Sequence, residues 1–187
     1  LIIISVSRDT DVLEIVNEMK ADINANSIVI DTSTVSANTA KEAAKLLGNV
    51  NSNFLDGPVS GGVEGAKNAT LAMMVGGDEK ILDKARPILN IIAKNIVHIG
   101  ANGTGQATKA VNQIMAAGIN QAVTEALAFG EAMGLPMDKV IDIISVGAAS
   151  NWFLDHRGKT MLSGEFKPGF KLGLHQKDLS ICQSMIR

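Results

Sequence analysis

The chain has 187 residues, room for one full domain or for pieces of two at roughly 150 residues each. Its 17 basic and 19 acidic side chains sum to −2 with no basic cluster, which argues against a nucleic-acid partner. Hydrophobic residues make up 46%, yet no apolar run nears the roughly 20 residues that cross a bilayer, so no membrane partner is expected. The single cysteine, Cys182, excludes an internal disulfide and a Cys-rich zinc site, and no metal is expected. A lone thiol and the lack of a secretory signal fit a cytoplasmic location, with the mitochondrial matrix open for a eukaryotic source. The 18 glycines, the absence of Tyr and 3% aromatic content place function on backbone and small polar groups rather than on stacking surfaces.

In chain order, Leu1-Ile2-Ile3-Ile4 reads as a buried strand already under way, and strands are expected over Leu1–Val6, Ser27–Asp31, Asn53–Asp56, Leu71–Val75 and Asn95–Ile99. Between them lie amphipathic helices: Asp9–Lys20, a segment capped by Ser36 that runs to Leu47, and one from Asp78 to Ala93 that Pro87 should kink or split. Strand and helix in alternation imply an α/β, Rossmann-like parallel sheet. After Gly105 the pattern becomes all-α: a long helix over Gln106–Met133 stopped by Gly134 and Pro136, then Met137–Val146, Asn151–Leu162 and Leu174 to the end. The expected division is 1–105, the later part of a nucleotide-binding domain, and 106–187, the first part of an all-α domain. Both ends read as cuts through a longer protein, with the N-terminal part of the first domain and the C-terminal part of the second missing.

Three segments could carry chemistry. Asp31-Thr32-Ser33-Thr34-Val35-Ser36 ends a strand in hydroxyls, which face a ligand crevice in open α/β sheets, or else simply cap the next helix. Asp56-Gly57-Pro58-Val59-Ser60-Gly61-Gly62 runs from a strand into glycines whose bare backbone can hold a carboxylate; a tight turn is the bland alternative. In Gly103-Thr104-Gly105-Gln106-Ala107-Thr108-Lys109, the lysine stands too far from the last glycine for a phosphate loop. Lys109, Asn112 and Gln113 share one helix face, with Val111, Ile114 and Met115 expected to pack on the other. A lysine in the first turns opposes the helix dipole; with burial its pKa falls, which suits proton exchange, whereas an exposed lysine on a surface helix is the alternative. Lys177 and Asp178 read by default as an exposed pair. His98, His156 and His175 are too scattered for a metal, and Trp152 and Phe153 either shape a pocket or pack the helical part.

Together with Val29-Ile30-Asp31-Thr32-Ser33-Thr34, Met74-Val75-Gly76-Gly77-Asp78, Pro168-Gly169-Phe170 and Leu174-His175-Gln176-Lys177-Asp178-Leu179, these stretches resemble, in order, the β-hydroxyacid dehydrogenase family. That family includes 3-hydroxyisobutyrate dehydrogenases and tartronate semialdehyde (2-hydroxy-3-oxopropionate) reductases. The resemblance implies hydride transfer between NAD or NADP and a small β-hydroxy or 3-oxo acid. Lys109 would then be the proton donor or acceptor, and Asn112 would orient the substrate. Ser60, Gly61 and Gly62 would hold its carboxylate, and Thr34 and Lys177 would lie by the cofactor. The family's Gly-x-Gly-x-x-Gly is found nowhere in this chain, and Arg8 either faces a cofactor phosphate or is solvated. The rivals are a non-catalytic binding or assembly module of the same fold and a phosphosugar acid dehydrogenase, whose phosphate clamp would have to come from Arg157, Lys159, Lys167 and Lys171. Ala116, Ala117 and Gly118 on the long helix suit close packing between subunits, so a homo-oligomer, dimer or tetramer, is expected.

Overall fold

The computed structural model describes residues 1–166 and 169–186; Lys167, Pro168 and Arg187 lie outside the described residues. By contacts the chain forms two compact units, Leu1–Asn112 together with the described residues from Phe170 onward, and Gln113–Gly169.

The first unit is built on a sheet of six strands: β1 (Ile2–Ile4), β2 (Ile28–Asp31), β3 (Asn53–Asp56), β4 (Val59–Ser60), β5 (Leu71–Gly76) and β6 (Ala93–Gly100). Strands β1, β2 and β3 pair in parallel, with Ile4 beside Asp31 and Asp31 beside Asp56, so all three end at one edge. Strands β5 and β6 are parallel to each other, but β5 runs antiparallel to β4 and to the end of β3, so the sheet is mixed where an all-parallel one was expected. The cause is the link after β3: Val59 and Ser60 fold back as β4 on Met73 and Ala72, in place of a full crossover helix.

Helices α1 (Asp9–Met19) and α2 (Ala37–Gly48) cover one face of the sheet. Val12, Val16, Ala40, Ala43 and Leu47 bury against Ile4, Val29 and Phe54. After the short α3 (Gly62–Lys67), α4 (Glu79–Leu89) covers the other face, burying Leu82, Ala85 and Leu89 against Ile30, Leu55, Met73 and Val75. The period of two in β2 and β3 divides Val29 and Phe54 from Ile30 and Leu55 in this way. Ser36 caps α2 through Thr39 N, and Asp78 caps α4 through Lys80 N and Ile81 N, as their types and places lead one to expect. Pro87 neither splits nor precedes a long continuation of α4: the helix ends two residues later at Leu89, so the missing N–H falls in its last turn. Strand β6 correspondingly starts at Ala93 rather than Asn95.

Helix α5 (Thr104–Ala132) spans 29 residues, about 43 Å at 1.5 Å per residue. In the second unit its later turns, with α6 (Met137–Ile144) and α7 (Trp152–Leu162), surround Val123, Leu127, Ile141 and Leu154. Phe153 packs against this cluster, whereas Trp152 is half exposed and stacks on His156. The last helix, α8 (Leu172–Met185), belongs by contacts to the first unit, unlike the expected division at residue 105. Hydrogen bonds to the first unit from Lys177, to Ser7 O and Thr34 O, and from Cys182, to Ala110 O, are the reason.

Leu82 is fully buried between α4 and the sheet. Leu82→Ala is expected to cost about 2–5 kcal/mol, read as a lower midpoint in urea denaturation with an unchanged slope.

Candidate active site

The parallel register sets two carboxylates side by side at the carboxyl ends of β2 and β3, Asp31 and Asp56, both fully buried. Asp31 Oδ1 accepts from Ser33 N at 2.9 Å, while its Oδ2 has no hydrogen-bond partner among the described residues. Burial pushes the Asp31 carboxyl above its usual range, against the hydrogen bonds from Ser33, and the neighbouring Asp56 pushes the same way. Asp56 is raised by burial too, against its own hydrogen bonds: Oδ1 accepts from Gly103 N at 2.8 Å and Oδ2 from Gln106 N at 3.1 Å. Those N–H groups belong to the start of α5, where a helix has no partners of its own.

The first turn of α5 therefore sits tightly on the sheet. A Cβ on Gly105 would collide with Met74 O and lie 2.6 Å from Asp56 O, and one on Gly76 would lie 2.6 Å from Asp56 Oδ1. Gly103 has φ +94°, a conformation that favours glycine. These glycines serve the helix–sheet approach. Gln106, 1% exposed, extends the lock: its Nε2 donates to Ser33 O at 2.8 Å and its Oε1 accepts from Val35 N at 3.1 Å. One turn further, Lys109 is 7% exposed. Burial draws its ammonium below the ordinary lysine value; Asp178 opposes that shift and Lys177 adds to it. Asn112 is half-buried on the same helix face and Gln113 is buried, whereas Val111, Ile114 and Met115, expected to be packed, are more than half exposed. No other described element covers that side of α5.

Lys177 and Asp178 are not the exposed pair of the default reading. Asp178 is 2% exposed, and its Oδ1 lies 3.0 Å from Lys177 Nζ. Lys177 Nζ donates to Thr34 O at 2.6 Å and to Ser7 O at 3.2 Å. The ammonium thus joins the loops that follow β1 and β2. A cavity of about 160 Å³ is lined there by Ser5, Ser7, Ser33, Thr34, Phe170, Lys177 and Asp178, among others. A second, of about 440 Å³, is lined by Ser7, Arg8, Gly173, Leu174 and Lys177. Arg8 stands before α1 as its N-cap residue, against the second cavity.

The structure ties Lys177 to Thr34 and sets it beside Asp178, while Lys109 feels the charges of Lys177 and Asp178. Ser60, Gly61 and Gly62 stand at the junction of β4 and α3, where Gly61 (φ +130°) and Gly62 (φ +58°) need glycine's freedom. No described hydrogen bond joins them to Lys109 or Lys177. Lys109 lines neither cavity. Sequence reasoning gave no part to Gln106, and took Asp31 and Asp56 only as the ends of strands. The available signal was the charge itself: an aspartate closing an apolar strand on the buried side must find N–H partners. Among the described residues no cluster of His, Cys, Asp or Glu suits a metal ion, and no helix is long and apolar enough to cross a membrane.

Residues 1–100 match the family model for the NAD binding domain of 6-phosphogluconate dehydrogenase, and residues 103–187 match that for the NAD-binding of NADP-dependent 3-hydroxyisobutyrate dehydrogenase. The 2-hydroxy-3-oxopropionate reductase of Escherichia coli strain K12 is 40% identical over 162 residues, 87% of this chain and 55% of that protein. A probable 3-hydroxyisobutyrate dehydrogenase of Mycobacterium bovis is 39% identical over 86% of this chain and 57% of its own length. The solved structure of Mycobacterium tuberculosis 3-hydroxyisobutyrate dehydrogenase with L-serine superposes with a TM-score of 0.88 at 35% identity, over 98% of this chain and 66% of that one. The chain thus spans little more than half the length of these curated relatives.

The paired aspartates carry a pH signature. A carboxyl whose pKa is raised on folding stabilises below its unfolded value and loses that contribution as pH rises through the folded one. For Asp31 the loss begins near the ordinary value of 3.8 and extends above it. Asp9 has the opposite sign: burial opposes, but hydrogen bonds from Thr39 and Ser36 prevail and hold it low, so its contribution fades only in acid. Asp31→Asn is expected to flatten the decline of thermal stability as pH rises above about 4, followed by circular dichroism.

Proposed function

This chain belongs to the 3-hydroxyisobutyrate dehydrogenase (β-hydroxyacid dehydrogenase) family, and from that membership we propose that the whole protein transfers a hydride between NAD(P) and a small β-hydroxy acid or its 3-oxo acid. The observation that carries the reading is Lys109: a lysine almost wholly buried near the start of a helix, its ammonium drawn below its usual range by burial against the charge of Asp178.

When bound, the reduced nicotinamide supplies the hydride. Lys109 then gives its proton to the carbonyl oxygen as charge develops there, and takes one from the hydroxyl in the reverse direction. A lowered pKa makes the ammonium a stronger acid, and the charge of Asp178 opposes that lowering. Asn112 would orient the substrate. Ser60, Gly61 and Gly62 would hold its carboxylate by hydroxyl and backbone N–H without adding a competing base.

The residues present fit the outer part of a dinucleotide: Thr34 and Lys177 line one cavity, and Arg8 and Lys177 another, at the carboxyl ends of β1 and β2, where open α/β sheets take ligands. No Gly-x-Gly-x-x-Gly for the pyrophosphate exists in this sequence, so these 187 residues do not supply that part of the site. For the substrate, the reading is 2-hydroxy-3-oxopropionate or 3-hydroxyisobutyrate and their partners in the reaction, a choice supported by the two named relatives and by the L-serine, itself a β-hydroxy acid, in the solved one. A cytoplasmic homo-oligomer, with the exposed Val111, Ile114 and Met115 available for contact, is part of the same proposal.

In the whole protein, Lys109→Ala is expected to lower kcat by about 10²- to 10⁴-fold, followed by nicotinamide absorbance with a panel of 3-oxo acids. NAD(P)H binding, read by fluorescence, should stay within about threefold of the parent; undiminished turnover would refute the role of Lys109. Ser60→Ala is expected to raise KM for the 3-oxo acid by about tenfold with a smaller change in kcat.

A further inference from the structure

The carboxylate at the end of β3 has no part in the proton or hydride transfer, yet it is fully buried and takes the N–H groups of both Gly103 and Gln106, with Asn102 Nδ2 at 3.5 Å. Helix α5 has no capping side chain of its own placed on these amides; an aspartate from another strand does that work. Lys109 follows Gln106 by three residues, so the two lie on nearly the same face, one turn apart. A one-residue slip of the first turn would carry the lysine about 1.5 Å along and 100° around the axis. Proton transfer does not tolerate such a shift: a misplacement of about 1 Å can cost about 100-fold in rate.

Rotation is restrained as well as height. Gln106 bonds both Ser33 O and Val35 N, and Ser33 Oγ accepts from Val6 N, so the helix start is tied to the loops after β1 and β2. A Cβ at Gly76 or Gly105 would come within 2.6–2.9 Å of a carboxylate oxygen of Asp56, so the bare glycines leave the carboxylate its place.

We propose that Asp56 is a positioning residue for Lys109: it anchors the first turn of α5 on the end of β3, while Gln106 sets the rotation of that turn. This rests on Lys109 being the proton donor. The anchor itself, however, can be read without turnover.

The test uses the whole protein with Asp56→Asn and, as a milder change that removes one donor near the carboxylate, Asn102→Ala. Two measurements are made, well below the melting temperature of each variant: kcat and KM for the 3-oxo acid, and hydrogen exchange of the amides from Gly103 to Lys109. Expected for Asp56→Asn is a fall in kcat of about tenfold or more, with KM and NAD(P)H affinity within about threefold, and faster exchange confined to the start of α5. Asn102→Ala should show the same pattern at about threefold. An unchanged kcat per folded molecule in an active parent overturns the proposal even if stability drops, because a merely structural carboxylate would lower the melting temperature alone. Should Asp56→Asn not fold, Asn102→Ala decides: unaltered kcat and exchange there overturn the proposal. Should the parent turn over no 3-oxo acid, the dehydrogenase reading fails separately, and exchange alone decides the anchor: faster at Gly103 and Gln106 supports it, unchanged refutes it.

Discussion

A helix that begins on the end of a sheet strand must find acceptors for its first N–H groups, and here a single buried carboxylate, Asp56, provides them. Much of the architecture around the candidate active site follows. Glycine is required at 76 because the carboxylate lies so close, and at 105 because the carbonyls of Met74 and Asp56 do. Gln106 is carried into the loop after β2, and Lys109 arrives one turn later in a place shielded from water. Burial of the carboxylate is itself unfavourable, and it is tolerated because its bonds are charge-assisted and meet the positive end of a helix. The neighbour in register, Asp31, enjoys less of this: one oxygen bonds Ser33 N and the other lacks a partner among the described residues.

The sheet and its covering helices were legible in the sequence because apolar periodicity is a local property. Val29 and Phe54 against Ile30 and Leu55 can be read as two faces before any coordinates exist, and Ser36 and Asp78 announce helix starts by type and place. What was not legible depends on partners distant in the chain. Strand β4 is two residues long and follows a proline, too short for any pattern, and with it goes the reversal of β5 relative to β3. The return of α8 to the first unit rests on Lys177 reaching Ser7 and Thr34, 170 and 143 residues away in sequence.

At the candidate site the same division holds. The lowered pKa of Lys109 could be argued from a cation set against a helix dipole only on condition of burial, and the sequence left an exposed lysine open as the alternative. The apolar residues beside it, Val111, Ile114 and Met115, were misjudged for the converse reason: an apolar stripe shows that a face seeks cover, not that the described chain provides it. Asp56 stood in plain view inside a glycine-rich motif, yet its role is set by Gly103 and Gln106, 47 and 50 residues away.

Lys177 introduces a competition. Of the three donors on its ammonium, two go to carbonyls on separate loops, Ser7 O and Thr34 O, and the carboxylate of Asp178 lies beside it as a charge partner. An anionic ligand in a neighbouring cavity that drew on more than the remaining donor would have to take one from Ser7 or Thr34. For such a ligand, affinity and the order of the two loops would draw on the same charge, and one loop's tie to the cation would be given up to hold it.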